Sequence, residues 1–372
     1  MRINLLGGAI ENAGDFLIEE RTKNLLRANI PNVTINRISR AWVNLSSKIE
    51  ELNDCDCILF AGGPLFSKDI YPRGIPFVDN LSDIVKPIFF LGGGLGNLGL
   101  FSEREIYKKQ YFTPFTKQFL NKSVNSGFSI GCRDLLTYRM FLSQGYKSVI
   151  MTGCPAWYDL ENINTVKKTK HHNCKFKICV SDPANKDNIP LLIDLLIYLR
   201  EKYPESDLSF IIHRETKDEY VKLIEENFFE HLNISVKSIA GSSEGFSVYD
   251  NCDMHIGFRL HSHIYNLSKR NISFLFNEDI RGGGFQNTVG LESINIERFQ
   301  NQNREKHLWR RFYLTLKPAI SSYLDSTFFI NKLDILIQES MNCNYENFER
   351  AYLFMKNTYS AMQEHIAQLR NI

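Results

Sequence analysis

Short apolar runs alternate with stretches of helical period from the first residue to about position 290. In the first part, residues 2–6, 57–61, 87–91, 128–132 and 149–152 read as buried strands. In the second, 176–181, 208–213, 234–239, 254–256 and 272–276 read the same way. Helical spacing falls between them: Phe16, Leu17, Leu25 and Leu26, then Leu135, Tyr138 and Leu142 up to Gly145, then 189–203 and 217–229. Strand–helix alternation of this kind predicts parallel sheets in both halves. The polar run DLENINTVKKTKHHNCK (159–175) reads as a linker. The expected division is a Rossmann-like domain at 1–160, a linker at 161–175, and a second Rossmann-like domain at 176–340. A C-terminal helix at 341–372 then packs back on the first domain, with 345–372 as one long amphipathic segment.

Composition narrows the class. A length of 372 residues suits about two domains, and 43% apolar with 12% aromatic residues can fill their cores. A formal charge of +2 argues against a dominant nucleic-acid surface. The eight cysteines follow no framework, which suits free thiols in a reducing compartment. Neither a secretory signal nor a transmembrane run is visible, so the expectation is a soluble cytoplasmic protein. The segment around Trp309, Arg310, Arg311, Phe312 and Tyr313 sets aromatics beside arginines. That suits peripheral contact with the inner membrane surface, or a packed helix with snorkelling arginines. His171, His172 and Cys174 have no carboxylate spaced to share a metal, and a solvated loop is expected there.

Chemistry concentrates where strands end. The turn after 254–256 holds Gly257, Arg259, Leu260, His261 and Ser262, outside the carboxyl end of a strand, where open α/β sheets bind ligands. Arg259 offers a planar fork for phosphate or carboxylate, and His261 a group that moves protons near neutral pH. The bland alternative makes Arg259 a salt-bridge partner and His255 and His263 satisfied structural histidines. Arg133-Asp134 falls at another strand-to-helix junction, as a ligand or as a local ion pair. Asn12 and Asp15 lie in the loop after the first strand, where Asp15 could equally cap the helix. Gly62-Gly63 and Gly93-Gly94 mark loops whose backbone comes close to a ligand or a neighbouring loop. Arg281 follows Asn277-Glu278-Asp279 in one more polar turn.

The ordered set ENAGD, AGGPLF, LGGGLG, GCRDLLTYRMFLSQGY, TGCPA and IGFRLHSHIYNLSKRNISF resembles the polysaccharide pyruvyl transferase family over about residues 1–290. The resemblance implies two domains arranged as in GT-B glycosyltransferases, with the active site in the cleft between them. It implies transfer of an enolpyruvyl unit from phosphoenolpyruvate to a sugar of a surface-polysaccharide precursor, lipid- or nucleotide-linked, as a pyruvate ketal. His261 and Asp15 are then the acid/base candidates. Arg133, Arg259, Leu260, Asn12, Gly62, Gly63, Gly93, Gly94, Ser262 and Arg281 are the candidates for substrate binding. No metal or other cofactor is called for if arginines neutralise the leaving phosphate. Cys154-Pro155-Ala156 departs from the Asp-Pro-Ala of many members, and Arg281 from their Lys. The competing readings are a GT-B-type glycosyltransferase with a sugar-nucleotide donor and a non-catalytic binding surface.

Overall fold

Strand β1 (Arg2–Gly7) is buried from Ile3 onward because it lies inside a parallel sheet. The computed structural model describes residues 1–39, 43–96, 107, 111–165, 176–214, 218–296 and 325–372. β1 lies between β2 (Thr34–Ser39) and β3 (Cys57–Ala61). Two short strands follow β3 in the chain around a longer one: β4 (Pro64–Phe66), β5 (Ile88–Leu91) and β6 (Gly94–Leu95). β5 completes the sheet order β2-β1-β3-β5, while β4 pairs with β6. β7 (Ile130–Cys132) pairs with β8 (Val149–Met151) and joins the others through a bridge from Gly93 to Cys132. Sequence patterning passes over β2 for a physical reason: TINRIS is an edge strand, exposed at Thr34, Asn36 and Arg37.

The second sheet contains β9 (Lys177–Ser181), β10 (Asp207–Ile212), β11 (Ile234–Ser238), β12 (Met254–Gly257), β13 (Ile272–Asn277) and β14 (Ile294–Asn295). Its order is β11-β10-β9-β12-β13-β14, every pairing parallel. The chain winds outward from β9 to β11 and then restarts beside β9 at β12. The crevice between the carboxyl ends of β9 and β12 is therefore a topological switch point.

One helical expectation needs correction. The single helix expected over 217–229 is two, Asp218–Glu225 and Phe228–His231, broken where Asn227 takes a left-handed φ of 55°. The long segment expected over 345–372 forms the helix Glu346–Ala367, and a further helix, Ser326–Asn342, precedes it, the two separated by Asn344 and Tyr345 at positive φ. The expectations for the 166–175 charge run and for Trp309 to Tyr313 lie outside the described residues.

Buried groups tie the halves together. Arg21 donates to Ala156 O at 2.8 Å and Ser268 Oγ at 2.9 Å, and pairs with Asp159 at 3.2 Å. Trp157 packs edge-on against Phe285 at 5.3 Å. Ala13 N donates to His213 O at 3.1 Å, and Gly241 N to Glu11 O at 2.7 Å.

The last long helix touches β8, the helices Ala13–Asn29 and Leu260–Ser268, and the helix Ile280–Val289. His365 at its end stacks on Phe89 at 4.3 Å and bonds Phe90 O through Nε2 at 3.0 Å. A carbonyl only accepts, so Nε2 carries the proton. Burial keeps the imidazole neutral, with its pKa held down to about 4. The approach needs Gly131, where an added Cβ would meet His365 Nε2 at 2.7 Å and Phe90 O at 2.8 Å. Gly131→Ala should therefore cost about 1–3 kcal/mol, by analogy with overpacked cores. Chemical denaturation measures this, and an unchanged midpoint would show that the helix does not need the close approach.

Candidate active site

Three strand ends of the second sheet and two loops of the first converge on one cavity. Its lining includes Asn12 and Arg133 from the first half. The second half supplies His213, Phe258, Arg259, Leu260, His261, Asn277, Glu278, Asp279 and Arg281.

Arg133 follows β7 directly and is 1% exposed. Asp134 caps the next helix, its Oδ1 accepting from Thr137 N and Thr137 Oγ1, each at 2.8 Å. Its Oδ2 accepts from Arg133 Nε at 3.2 Å. The local ion pair thus exists, but it uses only one edge of the guanidinium. Nη1 and Nη2 are buried and have no hydrogen-bond partner among the described residues. The side chain lies flat against Gly94, where a Cβ would come within 2.3 Å of Cζ. Gly93 O accepts from Arg133 N at 2.8 Å. Gly93 and Gly94 therefore seat the arginine, and neither lines the cavity.

Arg259 is the N-cap of the helix Leu260–Ser268. Its fork is occupied: Nε donates to Asp182 Oδ1 at 2.9 Å and Nη2 to Asp182 Oδ2. Burial works against its charge, but the Asp182 carboxylate outweighs it and holds the pKa above the ordinary value. Arg259 does line the cavity, so the salt-bridge reading and the site reading hold together. Arg281 repeats the pattern with Asp279, its Nε donating at 2.8 Å. Burial opposes the Arg281 charge and Asp279 overrides it, with Asp15 of the other half adding to the effect.

His261 starts the same helix and presses on Gly14 of the first half, where a Cβ would fall 2.1 Å from Nδ1. Its Nε2 is buried without a partner among the described residues. Burial, then the charges of Arg133 and Arg281, push its pKa down to about 3. At neutral pH it is a neutral imidazole.

Other expected site residues are placed differently. Asn12 takes the N-cap position of the first helix, with no side-chain cap bond, and donates from Nδ2 to Asp15 Oδ2 at 3.0 Å. Asp15 sits in the first turn and does not cap. Ser262 turns away from the cavity to bond Arg259 O at 2.7 Å. Gly62 and Gly63 do not line the cavity either; a Cβ on Gly62 would meet Ile18 at 2.6 Å. The sequence pattern marks Asn277 and Glu278 only as part of a polar turn and gives no role to His213, which also lines the cavity, or to Asp182, which holds Arg259. Each stands at or just after a strand end, the signal that could have found them.

For His261, a folded pKa near 3 against an ordinary 6.5 means that the unfolded chain takes up the proton first. Its contribution to stability is full above pH 6.5 and is lost as the pH falls from there toward 3. By NMR, His261 should stay unprotonated down to about pH 4.5, and inorganic phosphate should raise its pKa by offsetting the arginines. Titration near 6.5 in the ligand-free protein would contradict this electrostatic picture.

Among solved structures, S. aureus MnaA in its co-structure with UDP superposes with a TM-score of 0.50 at 13% identity, covering 92% of this chain and 97% of that one. A Listeria monocytogenes structure described as a UDP-N-acetylglucosamine 2-epimerase gives 0.54 at 10% identity, covering 100% and 96%. At such identities the likeness speaks for the fold alone, two parallel α/β halves in the GT-B arrangement with a helical C-terminus. A search of curated proteins returns no match. Residues 12–265, more than half of the chain and all the strand-end loops from Asn12 to His261, match the polysaccharide pyruvyl transferase family, and the chain belongs to that family.

Proposed function

We propose that this chain transfers the enolpyruvyl unit of phosphoenolpyruvate to two hydroxyls of one sugar, releasing phosphate and leaving a pyruvate ketal. The observation that carries the reading is the buried guanidinium of Arg133, its two terminal nitrogens unpartnered among the described residues, lining the same cavity as His261. Leaving buried donors unmade is costly unless an anion completes them. Phosphoenolpyruvate brings both a phosphate and a carboxylate to a cavity that three arginines face.

The chemistry balances with the residues present. The first hydroxyl adds to C2 of the donor and a proton adds to C3, turning the methylene into a methyl group. His261 Nε2, neutral in the empty site, accepts the hydroxyl proton. With the anion seated between the arginines, the imidazolium is stabilised and delivers that proton to C3. The C2–O bond to phosphate then breaks, the second hydroxyl closes the ketal, and its proton leaves with the phosphate. Arg133 and Arg281 stabilise the developing charge on the leaving group. Asp15, whose charge is felt at Arg281 from the opposite half although it does not line the cavity, is assigned to assist the second hydroxyl. The acceptor is the saccharide of a surface-polysaccharide precursor on lipid or nucleotide, worked on from the cytoplasmic side.

Phosphorus NMR tests this with phosphoenolpyruvate and a panel of saccharides. Phosphate should appear only when an acceptor is present, at a rate that His261→Asn lowers by about 10²-fold or more. Turnover of a sugar nucleotide in place of phosphoenolpyruvate would shift the reading to a glycosyltransferase, the use suggested by the UDP bound in the S. aureus neighbour.

A further inference from the structure

Beneath Arg259 runs a buried chain of hydroxyls and imidazoles that the proposed chemistry does not use. Ser181 Oγ, at the end of β9, accepts from Phe258 N at 3.2 Å and from Arg259 N at 3.3 Å. It also contacts His255 Nε2 at 3.0 Å. His255 Nδ1 contacts Ser273 Oγ at 2.7 Å, and Ser273 Oγ contacts His263 Nδ1 at 2.7 Å. Parallel register creates the chain: Gly257 pairs with Ser181, and His255 with Ser273. Gly257 is required there, since a Cβ would fall 2.1 Å from Ser181 Oγ.

Hydrogen-bond arithmetic gives the chain a direction. A serine hydroxyl has two lone pairs and one proton. Both lone pairs of Ser181 are taken by backbone N–H groups, so its proton must go to His255 Nε2. His255, neutral through burial, then carries its proton on Nδ1 and donates it to Ser273. Ser273 passes its own proton to His263 Nδ1, leaving the His263 proton on Nε2. That nitrogen has no hydrogen-bond partner among the described residues, yet the ring stands at 87° to Phe285 with centroids 5.6 Å apart.

We propose that Ser181 and His255 are positioning residues for the anion site, fixing the Phe258–Arg259 turn through a hydrogen-bond chain of one direction. Ser181 holds the backbone of Arg259 while its neighbour Asp182 holds the guanidinium, so two consecutive residues at one strand end set both ends of the arginine. His263, the last member of the chain, packs its ring against Phe285, which also packs on Trp157 of the other half, so the helix carrying Arg281 rests on the helix that follows the Arg259 turn. The effect on ligand binding rests on the transferase reading; the tautomers do not.

The test uses the full chain with ¹⁵N-labelled histidine. At pH 7 without ligand, His255 should show a protonated Nδ1 and His263 a protonated Nε2. Ser181→Ala and Ser273→Ala each delete one buried hydroxyl, but only the first frees the turn. Calorimetry with phosphoenolpyruvate should show about tenfold weaker binding for Ser181→Ala and a change within about twofold for Ser273→Ala. The reverse tautomer or an imidazolium at His255, or equal losses in the two variants, would overturn the proposal. If wild type does not bind phosphoenolpyruvate, the donor assignment falls and the tautomers alone decide the chain, as they do should Ser181→Ala not fold.

Discussion

A guanidinium removed from water with four of its five N–H donors unmatched among the described residues is the feature on which the account turns. Arg133 is 1% exposed, and Asp134 satisfies only Nε. Burying a charge without full pairing destabilises a protein, and such strain persists only where the surroundings enforce it. Here β7, the Asp134 cap and the bare face of Gly94 hold the side chain in place. Arg133 lines the same cavity as His261 of the opposite half, whose buried Nε2 likewise has no partner among the described residues. Each half therefore brings an incomplete polar group to a shared cavity, as expected of a site completed by its ligand.

Around that centre the arginines divide the work. Arg259 and Arg281 each engage a carboxylate, Asp182 and Asp279, through Nε and Nη2, so they contribute field and shape as well as donors. Arg133 contributes two terminal nitrogens without a partner among the described residues. Their combined field, with burial, explains why His261 is neutral when the site is empty and why an anion would restore its basicity. The halves are held in register by Arg21, Trp157 and the backbone bonds at Ala13 and Gly241. The final helix, locked at His365, spans both.

Much of this was legible in the chain. Parallel strands buried on both faces appear as nearly continuous apolar runs, so their carboxyl ends, and with them Arg133, Arg259, His261 and Arg281, could be located by inspection. Edge strand β2 could not, since exposed polar residues interrupt its two isoleucines, Ile35 and Ile38. Glycines were visible but their purpose was not. Gly14, Gly94 and Gly257 make room for His261, Arg133 and Ser181, partners far away in sequence. Pairing of Arg259 with Asp182, 77 residues earlier, depends on the register of β9 against β12 and leaves no local trace. Ser262 shows the limit of adjacency: successive helical residues point about 100° apart, so a neighbour of His261 need not share its cavity.

The most direct measurement is calorimetric titration of phosphoenolpyruvate into wild type and Arg133→Met, with a thermal melt of each in the absence of ligand. If the buried guanidinium waits for an anion, wild type binds and the methionine variant does not, while the variant melts at the same temperature as wild type or higher. A variant that binds phosphoenolpyruvate as well as wild type, or that loses most of its stability, would show that Arg133 is a satisfied structural residue and that the account is wrong at its centre.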